Sequence, residues 1–234
     1  MDSWSSAAPV SGTRTAEFMA SVYRWMAFGL ALTGIVAWAV TSSPALLSVF
    51  YRMDEAGNLH SAGAMWIALI GWFLLGVAFT PVALRASIGA AVAMFLTYCA
   101  LSGVVFSSIV FQYTRASIFS TLFITGGAFF GLSVYGTVTK RNLDAWRSFL
   151  FMGLIGIILA GIVNLFVRSN GLEFVLSCAG VLVFAGLTAY DTQRLRQLGE
   201  TGEERHALIG ALTLYLDFVN LFLFLLRFMG RRRD

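Results

Sequence analysis

Apolar residues come in long unbroken blocks along this chain, and polar residues gather between them. Strict alternation is absent, so the pattern predicts helices and not strands. About 20 apolar residues carry a helix across a bilayer. By that measure seven spans are expected: Val22 to Ser42, Ala62 to Leu84, Ile88 to Val110, Ala116 to Val138, Ser148 to Val167, Leu172 to Tyr190 and Leu208 to Phe228. A polar segment, 1–21, precedes them, and a basic tail, 229–234, follows the helical region, 22–228. Only the links Ser43 to Ser61 and Asp191 to Ala207 are long, which leaves no room for a second, soluble domain.

Composition agrees. Of 234 residues 58% are hydrophobic and 12% charged, with a mean hydropathy of +0.79, too apolar for a water-facing surface. The expected class is an all-α integral membrane protein. A net charge of +4 reflects arginines in the links and the tail and gives no support to nucleic-acid binding. On one side of the spans fall Arg14, Arg24, Arg85, Lys140, Arg141, Arg147, Arg194, Arg196 and Arg205, against Arg52, Arg115 and Arg168 opposite. The amino terminus is therefore expected in the cytoplasm, although Arg231 to Arg233 of the tail then lie on the far side after seven crossings.

Glycines in "GGAFFGLSVYG" (Gly126, Gly127, Gly131, Gly136) and "GLIGIILAG" (Gly153, Gly156, Gly161) are expected to let helices approach closely. Cys99 and Cys178 read as small packing residues, and His60 and His206 as solvated loop residues. No nucleophile motif, phosphate loop or zinc signature occurs, so neither an enzyme nor a bound cofactor is expected.

The costly residue is Asp217, in the middle of "LTLYLDFVNLFLFLLRF". A carboxylate at the centre of a membrane helix costs about 2.5–3.5 kcal/mol on insertion scales. Thr213 and Asn220 share its helical face, giving a polar stripe that must avoid lipid. The last helix is thus expected at the centre of the bundle. Asp191 in "AYDTQ" lies where the sixth span meets the cytoplasmic link, on the same side as Arg85, and the two can form a charge-assisted latch. A second carboxylate in reach would compete by sharing a proton with Asp191. Plainer readings stay open: Asp191 as a helix-end residue, Arg85 as a topology charge, and Asp217 held by Thr213, Asn220 and water.

Three stretches, "VYGTVTKRNLDAWRSFLFMGLIGIILAGIVNLF", "AGLTAYDTQRLRQL" and "ALTLYLDFVNLFLFLLRFMGRRR", closely resemble the bacterial members of the transmembrane Bax inhibitor motif family. The resemblance implies a seven-helix bundle with the last helix wrapped by the other six. It also implies a pH-sensitive calcium leak in the inner (plasma) membrane, gated by a proton-sharing pair, Asp191 and Asp217, with Arg85 as the arginine latch. Calcium would then be the transported ion, meeting those two carboxylates, with the bilayer and protons as the other partners. A second reading is a regulator bound to another membrane protein, such as an anchored protease, with the amino-terminal segment "MDSWSSAAPVSGTRTAEF" as its handle. A third, a proton-coupled transporter, lacks the expected internal repeat.

Overall fold

The structure is a computed structural model and describes residues 10–55, 58–199 and 204–233. It is all-α apart from one small hairpin. In chain order the elements are α1 (Val10–Ser42), α2 (Pro44–Phe50), β1 (Tyr51–Met53), β2 (Leu59–Ser61), α3 (Gly63–Ala83), α4 (Ile88–Gln112), α5 (Arg115–Val138), α6 (Asp144–Val167), α7 (Asn170–Leu198) and α8 (Glu204–Met229). Seven of the helices, all but α2, are long and apolar enough to cross a membrane. All seven predicted spans lie on these helices.

Differences concentrate at the ends. The first helix begins at Val10, well ahead of Val22, and Met1–Pro9 of the expected amino-terminal handle lie outside the described residues. The expected loop from Ser43 to Ser61 is organised: Ser43 caps α2 by accepting from the Leu46 N–H, and β1 pairs antiparallel with β2 in the register Tyr51 to Ser61. At the tip of that hairpin the Asp54 carboxylate accepts from the Asn58 N–H at 2.8 Å and meets His60 Nε2 at 2.9 Å. His60 is exposed, as expected, but it is paired.

The chain forms two compact units. One contains Val22–Thr114, with α8 up to Leu212; the other contains α5 to α7 and α8 from Thr213. In the first, α1 crosses α4 at Gly103, where an added Cβ would lie 2.7 Å from the Thr33 carbonyl oxygen and 2.6 Å from Val36 Cβ. Thr33 Oγ1 donates across the same crossing to the Cys99 carbonyl at 3.0 Å, which replaces water for one backbone oxygen. Trp72 Nε1 donates to Ser102 Oγ at 2.8 Å, joining α3 to α4. The hairpin is fastened by the buried Tyr51 hydroxyl, which donates to Ser107 Oγ at 2.9 Å while Ser107 donates to the Val104 carbonyl. Burial lifts the Tyr51 phenol above its ordinary pKa, so it stays a donor over the whole physiological range.

The second unit packs α7 against α5 and α6 through glycine notches. Leu150 of α6 fills the space above Gly186, and Val183 of α7 that above Gly153. On α5 the buried face runs Thr121, Thr125, Phe129, Ser133, Gly136, at helical spacing, and at Gly136 the α7 backbone carbonyl of Ala189 occupies the place of a side chain. The wider expectation for glycines fails at Gly126, Gly127, Gly131, Gly156 and Gly161, which meet no described atom within 4 Å. They lie on other faces of their helices, so spacing along the chain did not say which glycine faces a neighbour. Burial is uneven: half of the α8 window is buried, against 6% for α6.

Placing a methyl at the α5–α7 crossing forces backbone apart, and overpacking of this kind costs about 1–3 kcal/mol. Gly136→Ala is therefore expected to lower the thermal unfolding midpoint in detergent. Gly127→Ala, in open space, should leave the midpoint unchanged or raise it through better helix propensity. Equal effects of the two substitutions would remove the crossing as the cause.

Candidate functional site

Two aromatic residues set the register that brings the aspartates together. Phe184 of α7 stacks on Phe224 of α8 with ring centroids 5.7 Å apart, and Gly180, one turn earlier, makes room for the Phe224 ring. From that stack, two helical turns forward along α7 lead to Asp191 and two turns back along α8 lead to Asp217. Two turns return each side chain to the same face. The carboxyl groups of Asp191 and Asp217 accordingly hydrogen-bond to each other. Ionised carboxylates only accept, so this bond exists only while the pair holds a proton.

Asp191 is not at a helix end as expected. The apolar run stops at Tyr190, but "DTQRLRQL" contains no glycine or proline and continues the helix to Leu198, with Gly199 closing it. Asp191 is thus fixed on a regular helix, half-buried, with the exposed Arg194 acting on it electrostatically from the same helix. Asp217 is 4% exposed. Its Oδ2 is buried and has no hydrogen-bond partner among the described residues.

Three hydroxyls in the same unit share that condition: Thr121 Oγ1 and Ser133 Oγ on α5 and Thr192 Oγ1 on α7, at 1%, 5% and 0% exposure. Buried helical Ser and Thr ordinarily bond back to the carbonyl four residues earlier. Thr125 does so to Thr121, Thr137 to Ser133 and Thr188 to Phe184. The three exceptions each leave an oxygen facing the interior, at about 1–3 kcal/mol apiece. Thr192 follows Asp191 directly, and its Cβ lies against the Gly136 notch, one helical turn from Ser133. Ser133 and Thr192 therefore leave two unbonded oxygens near the α5–α7 crossing.

The other expected site residues fall as follows. Asn220 is half-buried on the Asp217 face, and its Nδ2 donates to the Leu216 carbonyl at 2.8 Å, which ties it to its own helix. Thr213 is half-buried one turn before Asp217 on that face. Arg85 lies exposed in the turn Leu84–Ser87 between α3 and α4, in the other unit. No group of three or more His, Cys, Asp or Glu side chains gathers among the described residues. Sequence reasoning missed Ser133 and Thr192, because a hydroxyl in a membrane helix is usually satisfied locally. The adjacency of Thr192 to Asp191 was the only clue.

Seven apolar helices and a carboxyl pair between two of them define a multi-pass helical membrane protein with a buried protonatable site. Its sequence matches the family model described as inhibitor of apoptosis-promoting Bax1 over residues 15–234, and the chain belongs to that family. It is 42% identical to the inner membrane protein YbhL of Escherichia coli K12, over 96% of this chain and 95% of that one. It is also 41% identical to an uncharacterized protein of Borreliella burgdorferi, over 93% of each, and 34% identical to an uncharacterized membrane protein of Streptococcus pyogenes, over 92% and 93%.

Because the orphan hydroxyls do not hold the fold together, Ser133→Ala and Thr192→Val are expected to keep or raise the thermal midpoint in detergent. Replacing an unpaired buried polar group by an apolar one of similar shape relieves a penalty of about 1–3 kcal/mol. A clear drop in midpoint for both variants would mean that these oxygens have structural partners.

Proposed function

We propose that this chain is a pH-sensitive calcium leak of the bacterial inner membrane, with Asp191 and Asp217 as its titrating gate. One observation carries the reading: a carboxyl pair between two membrane-spanning helices with Asp217 Oδ2 buried and without a hydrogen-bond partner among the described residues. A group so placed is stable as a shared-proton pair and unstable as two adjacent charges. Loss of the shared proton leaves two anions that repel, and either a cation or a separation of α7 from α8 must answer them. Calcium, the cargo, suits the oxygen-only donors of the site and competes with the proton for them. Ser133 and Thr192 supply neutral oxygens through which a partly hydrated ion passes the pair.

The latch belongs to this proposal, with Arg85 as the cation that takes Asp191 when the pair parts; α8 is the most buried of the seven spans, which supports a central place for it. The excess of Lys and Arg on one side of the spans supports an amino terminus in the cytoplasm. Inner-membrane placement follows from the seven spans and from the relative YbhL, which is named for that membrane.

Calcium flux from liposomes containing the purified protein, read with an enclosed dye, tests the gate. Wild-type flux is expected to change between about pH 6 and 8, the range in which coupled carboxyls titrate when held in low dielectric. Asp191→Asn and Asp217→Asn should each flatten that dependence. Ser133→Ala and Thr192→Val should lower flux several-fold and keep its pH profile. The gate is refuted by an Asp217→Asn protein whose flux matches wild type at every pH.

A further inference from the structure

At the end of α7 beyond the aspartates lies a cavity of about 370 Å³. Thr139, Lys140, Arg141 and Asn142 of the α5–α6 link line it on one side, and Gln193, Arg196 and Gln197 of α7 on the other. Three of the seven lining side chains are cations and none is an acid. Like charges gathered around one hollow repel unless an anion enters it.

The hollow is built and not a gap between loose side chains. Gln193 is 8% exposed and clamps the link with both ends of its amide. Its Oε1 accepts from the Leu143 N–H at 2.9 Å, and its Nε2 donates to the Arg141 carbonyl at 2.8 Å. Arg196 is held by donating through Nη1 to the Thr137 carbonyl, which uses one of five guanidinium N–H groups. The cations are therefore presented by a fixed frame, with amides at Asn142 and Gln197 beside them. The depth is also informative: Gln193 to Gln197 lie roughly 3–9 Å past Asp191 along α7, where Lys140, Arg141, Arg147, Arg194 and Arg196 crowd one end of the helices.

We propose that this cavity binds a phosphate ester anion, with Lys140, Arg141 and Arg196 as its charge partners. The volume falls in the range of small-ligand sites and exceeds what bare phosphate would fill, so a glycerophosphate-sized group fits. Such a group comes either from the headgroup of an anionic lipid, where basic pockets between membrane helices meet the headgroup layer, or from a soluble phosphate ester. The site is independent of the calcium reading, because none of its residues belongs to the aspartate pair.

Thermal shift of the full-length protein in a neutral detergent separates the sources. Short-chain phosphatidylglycerol, short-chain phosphatidylcholine and glycerol 3-phosphate are titrated in turn. A saturable rise of the midpoint with phosphatidylglycerol and none with phosphatidylcholine is the expected result. If glycerol 3-phosphate gives the same rise and displaces the lipid, the ligand is a soluble ester; if it does neither, the ligand is the lipid. Lys140→Gln/Arg141→Gln should weaken half-saturation by roughly thirtyfold, on the scale set by removing two interfacial cations. Lys140→Gln alone, a milder change, should weaken it by a few-fold, whereas Arg52→Gln in the hairpin should leave it unchanged. The proposal is overturned by equal shifts with both lipids, by no shift with any of the three ligands, or by Arg52→Gln matching the double variant.

Discussion

One hydrogen bond organises the second half of this molecule: that between the carboxyls of Asp191 and Asp217. Hydrocarbon gives a lone carboxylate nothing, so the buried Asp217 is tolerable there only when neutral or partnered. The bond and the Phe184–Phe224 stack select the same faces of α7 and α8. The stack lies two turns from the aspartates on both helices, with the Gly180 notch beside it. Packing on the far side of α7 obeys the same register, since Gly136 can accept the Ala189 carbonyl only where α7 is turned with Asp191 toward α8. A polar constraint and an aromatic one thus agree on an interface that is otherwise apolar and interchangeable.

Much of the fold was legible from the chain. Seven apolar blocks predict seven spans because in lipid nothing but a helix satisfies the backbone within one segment. The ends were less legible. Tyr190 closes an apolar block but not a helix, since hydrogen bonding does not stop where hydrophobicity does, and so Asp191 was expected at a boundary and lies inside α7. The hairpin Tyr51–Met53 and Leu59–Ser61 was hidden in a link whose polar residues pair with each other. Glycine spacing overstated packing for the same kind of reason: Gly136 and Gly127 look alike in sequence, and only the angular position on α5 separates a notch from open space.

Asp217 announced itself because a charge in an apolar run is rare and costly. Asp191 needed the family resemblance to be named as its partner. Ser133 and Thr192 gave almost no signal, because what makes them unusual is a hydrogen bond that they do not make to their own helices. Such an absence is a property of three-dimensional packing and has no counterpart in residue type. Arg85 was readable as a charge at a span end, and its exposed place in the Leu84–Ser87 turn agrees with that much.

Asp191, Thr192 and Gln193 are consecutive, and successive helical residues point about 100° apart. Each is committed to a different neighbour: Asp191 to α8, Thr192 to the Gly136 notch of α5, and Gln193 to the link that begins α6. One turn of α7 is therefore pinned around its circumference, like a shaft keyed in three directions. Rotation of this turn about its own axis strains all three attachments together, so the register of α7 is held from three sides at the level of Asp191.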